Sequence, residues 1–127
     1  MTVHIWVGHF ESEDRCQAYF AECWDPEDED RVRTPLSEFA RDQGERWYDH
    51  DVFEYSHDPA ARWVADLARR HSYANQYAHD ADARAVARGV AGINTFVFIG
   101  ASEIDCPRDV AGIGFTLHYL GSVTCRT

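Results

Sequence analysis

The stretch "INTFVFIG", residues 93–100, constrains the fold of this chain more than any other segment. It is almost continuously apolar and is flanked by glycine at both ends. A strand that is apolar at successive positions, and not only at every second one, is typical of the buried interior of a sheet. The sequence therefore predicts a central strand here, buried on both faces.

Two more strands are predicted at the ends of the chain. "TVHIWVGHF", residues 2–10, is rich in β-forming residues, with Val3, Ile5 and Val7 alternating with His4 and Trp6. "FTLHYLGSVTC", residues 115–125, is predicted as the last strand, with a bulge at Gly121. The segment between the two C-terminal strands is predicted to be a connection.

Helical signals fill the rest of the chain. Ser12, Asp58 and Ser72 each precede a stretch with apolar residues at helical spacing, and each is a good N-cap residue. A shorter helical turn is predicted after Thr34 and Pro35. Residues 45–58 follow neither period and are predicted to be irregular, with at most a short strand or helical turn.

This order of elements predicts an α+β fold. The chain has 127 residues, which fits one domain spanning residues 1–127. We expect a small, mainly antiparallel sheet covered on one face by helices. The two C-terminal strands are predicted to form an antiparallel pair with each other.

The negative charge of the chain is concentrated in its first half. The net charge is −10, and residues 11–58 contain 16 of the 22 acidic residues but only five of the 12 basic ones. Such a chain is a poor ligand for nucleic acid or for an anionic membrane, both of which attract positive charge. A basic protein partner suits it, although acidity also serves solubility alone.

The cysteines give no sign of a secreted or zinc-binding protein. Cys16, Cys23, Cys106 and Cys125 include no C-x-x-C pair, so a structural zinc site has no support from spacing. A bridge between Cys106 and Cys125 is possible but is not implied. The first ten residues do not resemble a signal peptide, and no apolar stretch approaches membrane-spanning length. A reducing, cytoplasmic location is predicted.

Catalytic motifs are absent from the sequence. It contains no G-x-S-x-G, P-loop, G-x-G-x-x-G or H-E-x-x-H pattern. One cluster, Asp49, His50, Asp51 and His57, contains residue types that bind metals. It supports an alternative hypothesis of a small metal-dependent hydrolase, while the main hypothesis requires no metal or other cofactor.

An acidic and aromatic middle segment is the best candidate for a functional surface. "PEDEDRVR" places four carboxylates in a row, and "RWYDHDVFE" follows after a short helical turn. Large aromatic side chains combined with charge are typical of protein interfaces. The competing interpretation is that the aromatics belong to the core and the acids are merely solvated. The candidate contacts are Glu27, Asp28, Glu29, Asp30, Trp47, Tyr48, Asp49, Asp51 and Glu54.

Several stretches, taken in order, resemble the immunity protein 22 family. They are "VHIWVGHF", "WYDHDVFE", "RRHSYANQYA", "INTFVFIG" and "LHYLGSV", and together they extend from Val3 to Val123. The positions that match the recurring stretches are Trp6, Gly8, Phe10, Tyr48, Asp49, Asp51, Phe53, Ser72, Tyr73, Leu120 and Gly121. The acidic loop "DPEDEDRVR" departs from the family pattern, which leaves the identity of the partner open.

The resemblance implies a function. Members of this family are bacterial antidotes encoded beside polymorphic toxins, so it implies a cytoplasmic α+β protein without enzyme activity that binds a toxin domain. Such toxins are often nucleases, which carry positive charge to hold nucleic acid. We therefore expect the seven acidic candidates, Glu27, Asp28, Glu29, Asp30, Asp49, Asp51 and Glu54, to form a negative surface toward a basic toxin.

Overall fold

A five-stranded antiparallel sheet forms the centre of the protein, for which a computed structural model describes residues 1–126. The strands follow the order β2-β3-β1-β5-β4 across the sheet. They are β1 (Thr2–Phe10), β2 (Phe53–His57), β3 (Thr95–Gly100), β4 (Val110–Gly112) and β5 (Phe115–Thr124). The helices are α1 (Glu13–Phe20), α2 (Glu38–Asp42), α3 (Val64–Ala68) and α4 (Ala74–Ala87). Two 3-10 turns, His50–Val52 and Ala101–Glu103, complete the elements.

The α+β class and the antiparallel sheet are confirmed, but the helices cover both faces of the sheet. On one face, the even-numbered apolar residues of β3 pack with α3 and α4. On the other face, Trp6, Val97 and Ile99 pack with α1, α2 and Tyr48. Both faces of β1 and β3 are apolar, so each needs its own helical layer to exclude water.

The predicted pairing of the two C-terminal strands is wrong. Strand β1 lies between β3 and β5 and pairs antiparallel with both. Strand β5 pairs on its other side with β4, a short strand in the segment predicted as a connection. The predicted bulge is confirmed, because the β1–β5 register shifts where Ile5 faces Gly121 and Trp6 faces Tyr119.

Helix starts differ from the sequence prediction in three places. Ser12 does cap α1, accepting a hydrogen bond from the Arg15 N–H. Helix α2 begins after Ser37 and not after Thr34. Helix α3 begins after Trp63, five residues beyond the predicted Asp58 cap, and α4 begins after Tyr73, which has a left-handed backbone (φ 61°). The Ser72 side chain therefore does not cap α4.

A buried asparagine joins the end of β1 to the start of β3. The Asn94 side chain accepts a hydrogen bond from the Phe10 N–H and donates one to the Phe10 carbonyl, each 2.9 Å long. The same side-chain oxygen accepts from the Thr95 hydroxyl at 2.9 Å. This closed set of bonds satisfies polar groups that would otherwise be buried without partners.

In residues 1–126, no helix is long and apolar enough to cross a membrane.

Close packing at the middle of β1 leads to a stability prediction. A Cβ atom on buried Gly8 would lie 2.0 Å from the backbone oxygen of Thr116, so Gly8→Ala forces the β1–β5 ladder apart. We expect it to lower the free energy of unfolding by about 3 kcal/mol or more, measured by chemical denaturation. The control is Gly89→Ala, where φ is +69° and the space is open, and where we expect a loss of about 1–2 kcal/mol. Equal losses in the two variants would contradict this interpretation of Gly8.

Candidate toxin-binding surface

The acidic loop, residues 22–34, lies against residues 46–52 on the side of the sheet that α1 and α2 cover. The Cys23 N–H donates to the Leu36 carbonyl at 2.6 Å, and the Leu36 N–H donates to the Arg46 carbonyl at 2.9 Å. The His50 Nδ1 lies 3.4 Å from the Glu22 carboxylate. These contacts bring two parts of the predicted surface together although they are far apart in sequence.

Asp28 organises the acidic loop from within. It is only 8% exposed, and its carboxylate accepts hydrogen bonds from the backbone N–H groups of Val32, Arg33 and Thr34 at 3.0, 2.8 and 2.6 Å. These bonds, led by that from the Arg33 N–H, lower the pKa of Asp28 and keep it ionised. Asp28 was a predicted contact, but its carboxylate points inward to the backbone of the loop, unlike those of its exposed neighbours Glu27 and Glu29.

Arg31 holds the loop from the opposite side. Its guanidinium donates to the carbonyls of Cys23 at 2.8 Å and Thr34 at 3.4 Å, and lies 5.8 Å from the centroid of the Trp24 ring. Its backbone is left-handed (φ 53°), which is uncommon for a residue other than glycine. The loop conformation is therefore specified by side-chain contacts with the backbone.

Exposed carboxylates surround this framework. We call the following set the acidic surface: Glu22, Glu27, Glu29, Asp30, Asp49 and Asp51. Asp49 is partly exposed; its backbone N–H donates to Glu103 at 2.7 Å, and its carboxylate accepts from the Asp51 N–H at 2.9 Å. Four of the predicted residues therefore have exposed carboxylates here, and Asp49 lies at the border.

Three large apolar side chains are exposed beside the acidic surface. Trp24 is 71% exposed, Val32 is 63% exposed and Trp47 is 55% exposed. The backbone bonds between Cys23, Leu36 and Arg46 place the two tryptophans on neighbouring segments. Trp47 was a predicted contact, whereas Trp24 and Val32 were not. Helix α1 ends at Phe20, so Trp24 lies in the loop that follows it.

Two other predicted contacts occupy different environments. Tyr48 is 1% exposed, its hydroxyl lies 3.4 Å from the Ser37 hydroxyl, and burial raises its pKa to about 12. Glu54 lies on the α3–α4 side of β2, since its neighbours Phe53 and Tyr55 pack with the other core. The structure thus makes Tyr48 a core residue and separates Glu54 from the acidic surface.

The metal-binding cluster of the alternative hypothesis is not assembled. His50 contacts Glu22 and Asp51, whereas His57 contacts the Thr95 hydroxyl at 3.0 Å. Across the described chain, residues 1–126, no three His, Cys, Asp or Glu side chains are grouped so that they could hold a metal ion. All four cysteines are free, so Cys106 and Cys125 do not form a bridge.

The sequence did not predict a hydrogen-bonded row in which His71, from the turn before α4, joins two side chains of β2. The His71 ring lies 3.3 Å from the Glu54 carboxylate through Nδ1 and 2.8 Å from the Ser56 hydroxyl through Nε2. The Glu54 carboxylate also accepts from the Ser72 N–H at 3.2 Å. Burial would raise the pKa of Glu54, but its hydrogen bonds to Ser72 and His71 outweigh burial and lower it. The row fixes the turn before α4 onto β2.

The inward position of Asp28 yields a prediction about loop order. Asp28→Ala removes the acceptor of three backbone bonds, so we expect the amides of residues 25–34 to exchange with solvent faster than in the unaltered protein. Glu29→Ala is the matched control, because it removes one negative charge from an exposed neighbour. Hydrogen–deuterium exchange measures both variants. Equal exchange in the two would show that Asp28 does not hold the loop.

The buried His71 yields a prediction about pH. Burial keeps the pKa of His71 below its ordinary value of 6.5, against the opposing effect of Glu54. The unfolded chain therefore binds the proton more readily than the folded protein does. Stability that is present above about pH 6.5 is lost as the pH falls toward the pKa of His71 in the folded protein. We expect the free energy of unfolding to fall more steeply from about pH 7 to about pH 5 in the unaltered protein than in His71→Gln.

The control for that titration is the exposed His79 on α4. Replacing it by glutamine removes one imidazole without disturbing the β2 row, so His79→Gln should keep the slope of the unaltered protein. Denaturation curves at a series of pH values measure all three proteins. Parallel stability profiles for His71→Gln and the unaltered protein would contradict the assignment.

Comparison with known proteins identifies the family. The model of a family described as Immunity protein 22 matches residues 3–124, which is nearly the whole chain. No curated protein and no solved structure matches the chain. The chain belongs to the immunity protein 22 family, as its ordered stretches predicted.

Proposed function

We propose that this member of the immunity protein 22 family binds a cognate toxin domain through the acidic surface and neutralises it. Membership of the family supports an immunity function in general. The chemistry of the partner is inferred from the surface itself. The observation that carries the proposal is the combination of exposed carboxylates with exposed tryptophans on one ordered loop region.

The charge distribution favours a basic toxin. Residues 11–58 carry most of the acidic residues of a chain whose net charge is −10. A toxin that cleaves nucleic acid needs a positive surface to hold phosphates. Opposite fields speed the encounter of two proteins, and an antidote has to reach its toxin before the toxin reaches its substrate. We therefore propose a basic nuclease domain as the target, bound in the cytoplasm.

The exposed tryptophans offer apolar contact area, which adds to the affinity that charge attraction provides. Interface residues that contribute most to affinity are enriched in Trp, Tyr and Arg, and they lie within a rim of polar groups. Trp24 and Trp47 are more than half exposed and border the acidic surface. We propose that they insert into the toxin surface while the carboxylates surround them. The proposed contacts are Trp24, Glu27, Glu29, Asp30, Val32, Trp47, Asp49 and Asp51.

Two further predicted residues, Asp28 and Tyr48, have supporting roles in this proposal. Asp28 holds the loop that carries Glu27, Glu29 and Asp30. Tyr48 follows Trp47 in the sequence. Its ring centroid lies 5.1 Å from that of Phe53, and this contact holds the segment against the core. Rigid support of this kind reduces the entropy that is lost when the surface binds.

The experiment that tests the proposal is rescue from toxicity. The toxin domain encoded beside this chain is expressed in a sensitive host, with and without this chain, and survival is counted. We expect survival only in the presence of the chain, together with a complex of the two purified proteins. Death in both cultures, with no complex, would contradict an antidote role for that pair.

The contribution of the acidic surface is tested by a pair of double variants. Glu29→Gln with Asp30→Asn removes two exposed charges from the loop, and we expect its affinity for the toxin domain to fall about tenfold at low salt. The loss should shrink at about 300 mM salt, because screening weakens the attraction that the variant lacks. Calorimetric titration at both salt concentrations measures it.

The matched control removes the same charge from the opposite layer. Asp80→Asn with Asp82→Asn alters α4, which packs on the other face of the sheet. We expect its affinity to remain within about threefold of the unaltered protein. Equal losses in the two double variants would show that only net charge matters and would refute the assignment of the surface.

A further inference from the structure

The outer edge of β2 has free backbone hydrogen-bonding groups beside the acidic half of the molecule. Strand β2 is the first in the sheet order, so in the described part of the chain no strand lies beyond it. The opposite edge strand, β4, has only three residues, whereas β2 has five. An edge strand that is not shortened, bulged or covered is a template for another strand.

The bond pattern shows which residues of β2 face outward. In an antiparallel pair, residues whose N–H and C=O groups point toward the partner alternate with residues whose groups point away. The Asp58 N–H donates to the Asn94 carbonyl at 2.7 Å, directly beyond the paired residues His57 and Thr95. Asp58 thus faces β3, and so do Ser56 and Glu54. The backbone groups of Tyr55 and His57 therefore point away from the sheet.

The other side of the sheet leads to the same alternation. Met1 and Glu11 both form backbone bonds toward β5, so odd-numbered residues of β1 face β5 and even-numbered ones face β3. Even-numbered residues of β1 pair with odd-numbered residues of β3, which leaves Phe96 and Phe98 facing β2. Their partners are Ser56 and Glu54.

The outward groups have no partner within residues 1–126. None of the loop or cap hydrogen bonds of that range uses the backbone of Tyr55 or His57. The Phe53 N–H is occupied, because it donates to the His50 carbonyl in the preceding 3-10 turn. Two donors and two acceptors, at Tyr55 and His57, are therefore left without backbone partners along this edge of the described chain.

A groove beside this edge combines an apolar wall with a negative charge, which favours a basic side chain on the incoming strand. It lies between β2 and α1 and is lined by Glu13, Cys16, Gln17, Tyr55, Ser56 and His57. The Tyr55 ring offers an apolar wall, and Glu13 offers a negative charge at the exposed start of α1. An arginine or lysine side chain fits such a groove, with its aliphatic part against the ring and its charge near the carboxylate.

We infer that an extended, basic segment of the toxin adds to the sheet along β2, with an arginine or lysine in the groove beside Glu13. The inference depends on the proposed function and specifies how the partner binds. Strand addition supplies affinity through backbone bonds and specificity through alternate side chains. A second copy of this chain is a poorer occupant, because pairing two β2 edges would bring together the acidic halves of two molecules that each carry a net charge of −10.

The test compares two substitutions at one position. His57→Pro removes the outward N–H and places a ring where the incoming strand would lie, and a proline whose missing N–H faces solvent is tolerated on an edge strand. His57→Ala is the matched control, because it loses the same imidazole contact with Thr95 but keeps the N–H. Thermal unfolding monitored by circular dichroism verifies that both variants are folded.

Binding is measured with the purified toxin domain encoded beside this chain, carrying an inactivating substitution. We expect His57→Pro to bind at least about tenfold more weakly than His57→Ala, because only the alanine variant keeps the outward N–H. Equal binding by both variants would overturn the edge as the docking site while leaving the proposed function intact. No binding by any of the three proteins would overturn the proposed function and this inference together.

Sedimentation of the chain alone tests the competing occupant. We expect the unaltered protein and His57→Pro to sediment alike, as the same species. A dimer that forms in the unaltered protein and is lost in His57→Pro would assign the edge to a second copy of the chain and would overturn the toxin strand.

Discussion

The rest of the structure depends on the burial of β1 and β3 on both faces. Val97 and Ile99 face one core, Phe96 and Phe98 face the other, and all four are at most 1% exposed. A sheet of this kind needs a helical layer on each side. The chain supplies α1 and α2 for one face and α3 and α4 for the other. The α1 layer carries the acidic loop and lies on the side of exposed Trp24 and Trp47, whereas α3 and α4 cover the opposite face, where Trp63 is exposed before α3.

The acidic surface depends on a carboxylate that is not part of it. Adjacent carboxylates repel one another, so a free loop with four of them in a row would sample many conformations. Asp28 turns inward and binds three backbone N–H groups, and Arg31 binds two carbonyls. The repulsive run is thereby held in one conformation before any partner arrives. A preformed charged surface suits fast and specific association better than a flexible one.

Strong local patterns allowed much of the fold to be predicted from sequence, whereas features set by distant contacts were missed. Strands β1, β3 and β5 were found from apolar alternation or continuity, and Ser12 was found as a cap because its role is local.

The start of α4 was missed because the Ser72 N–H bonds to Glu54, 18 residues earlier in the sequence. Strand β2 was not located from the sequence, although Phe53 and Tyr55 follow the two-residue period of a strand. The preceding 3-10 turn breaks that period in the sequence. The predicted pairing of β3 with β5 was wrong because β1, from the other end of the chain, lies between them. Composition alone could not separate inward Asp28 from its exposed neighbours, since only the fold decides which carboxylate meets the free N–H groups.

An amide-exchange footprint of the complex shows which segments of the chain the toxin domain covers. The chain is exchanged in deuterated solvent alone and with the inactivated toxin domain encoded beside it, and protection is compared segment by segment. We expect added protection in residues 22–34 and 46–57, with no change in α4. Protection confined to α3 and α4, with residues 22–34 unchanged, would place the toxin on the opposite face and would refute the proposed binding surface.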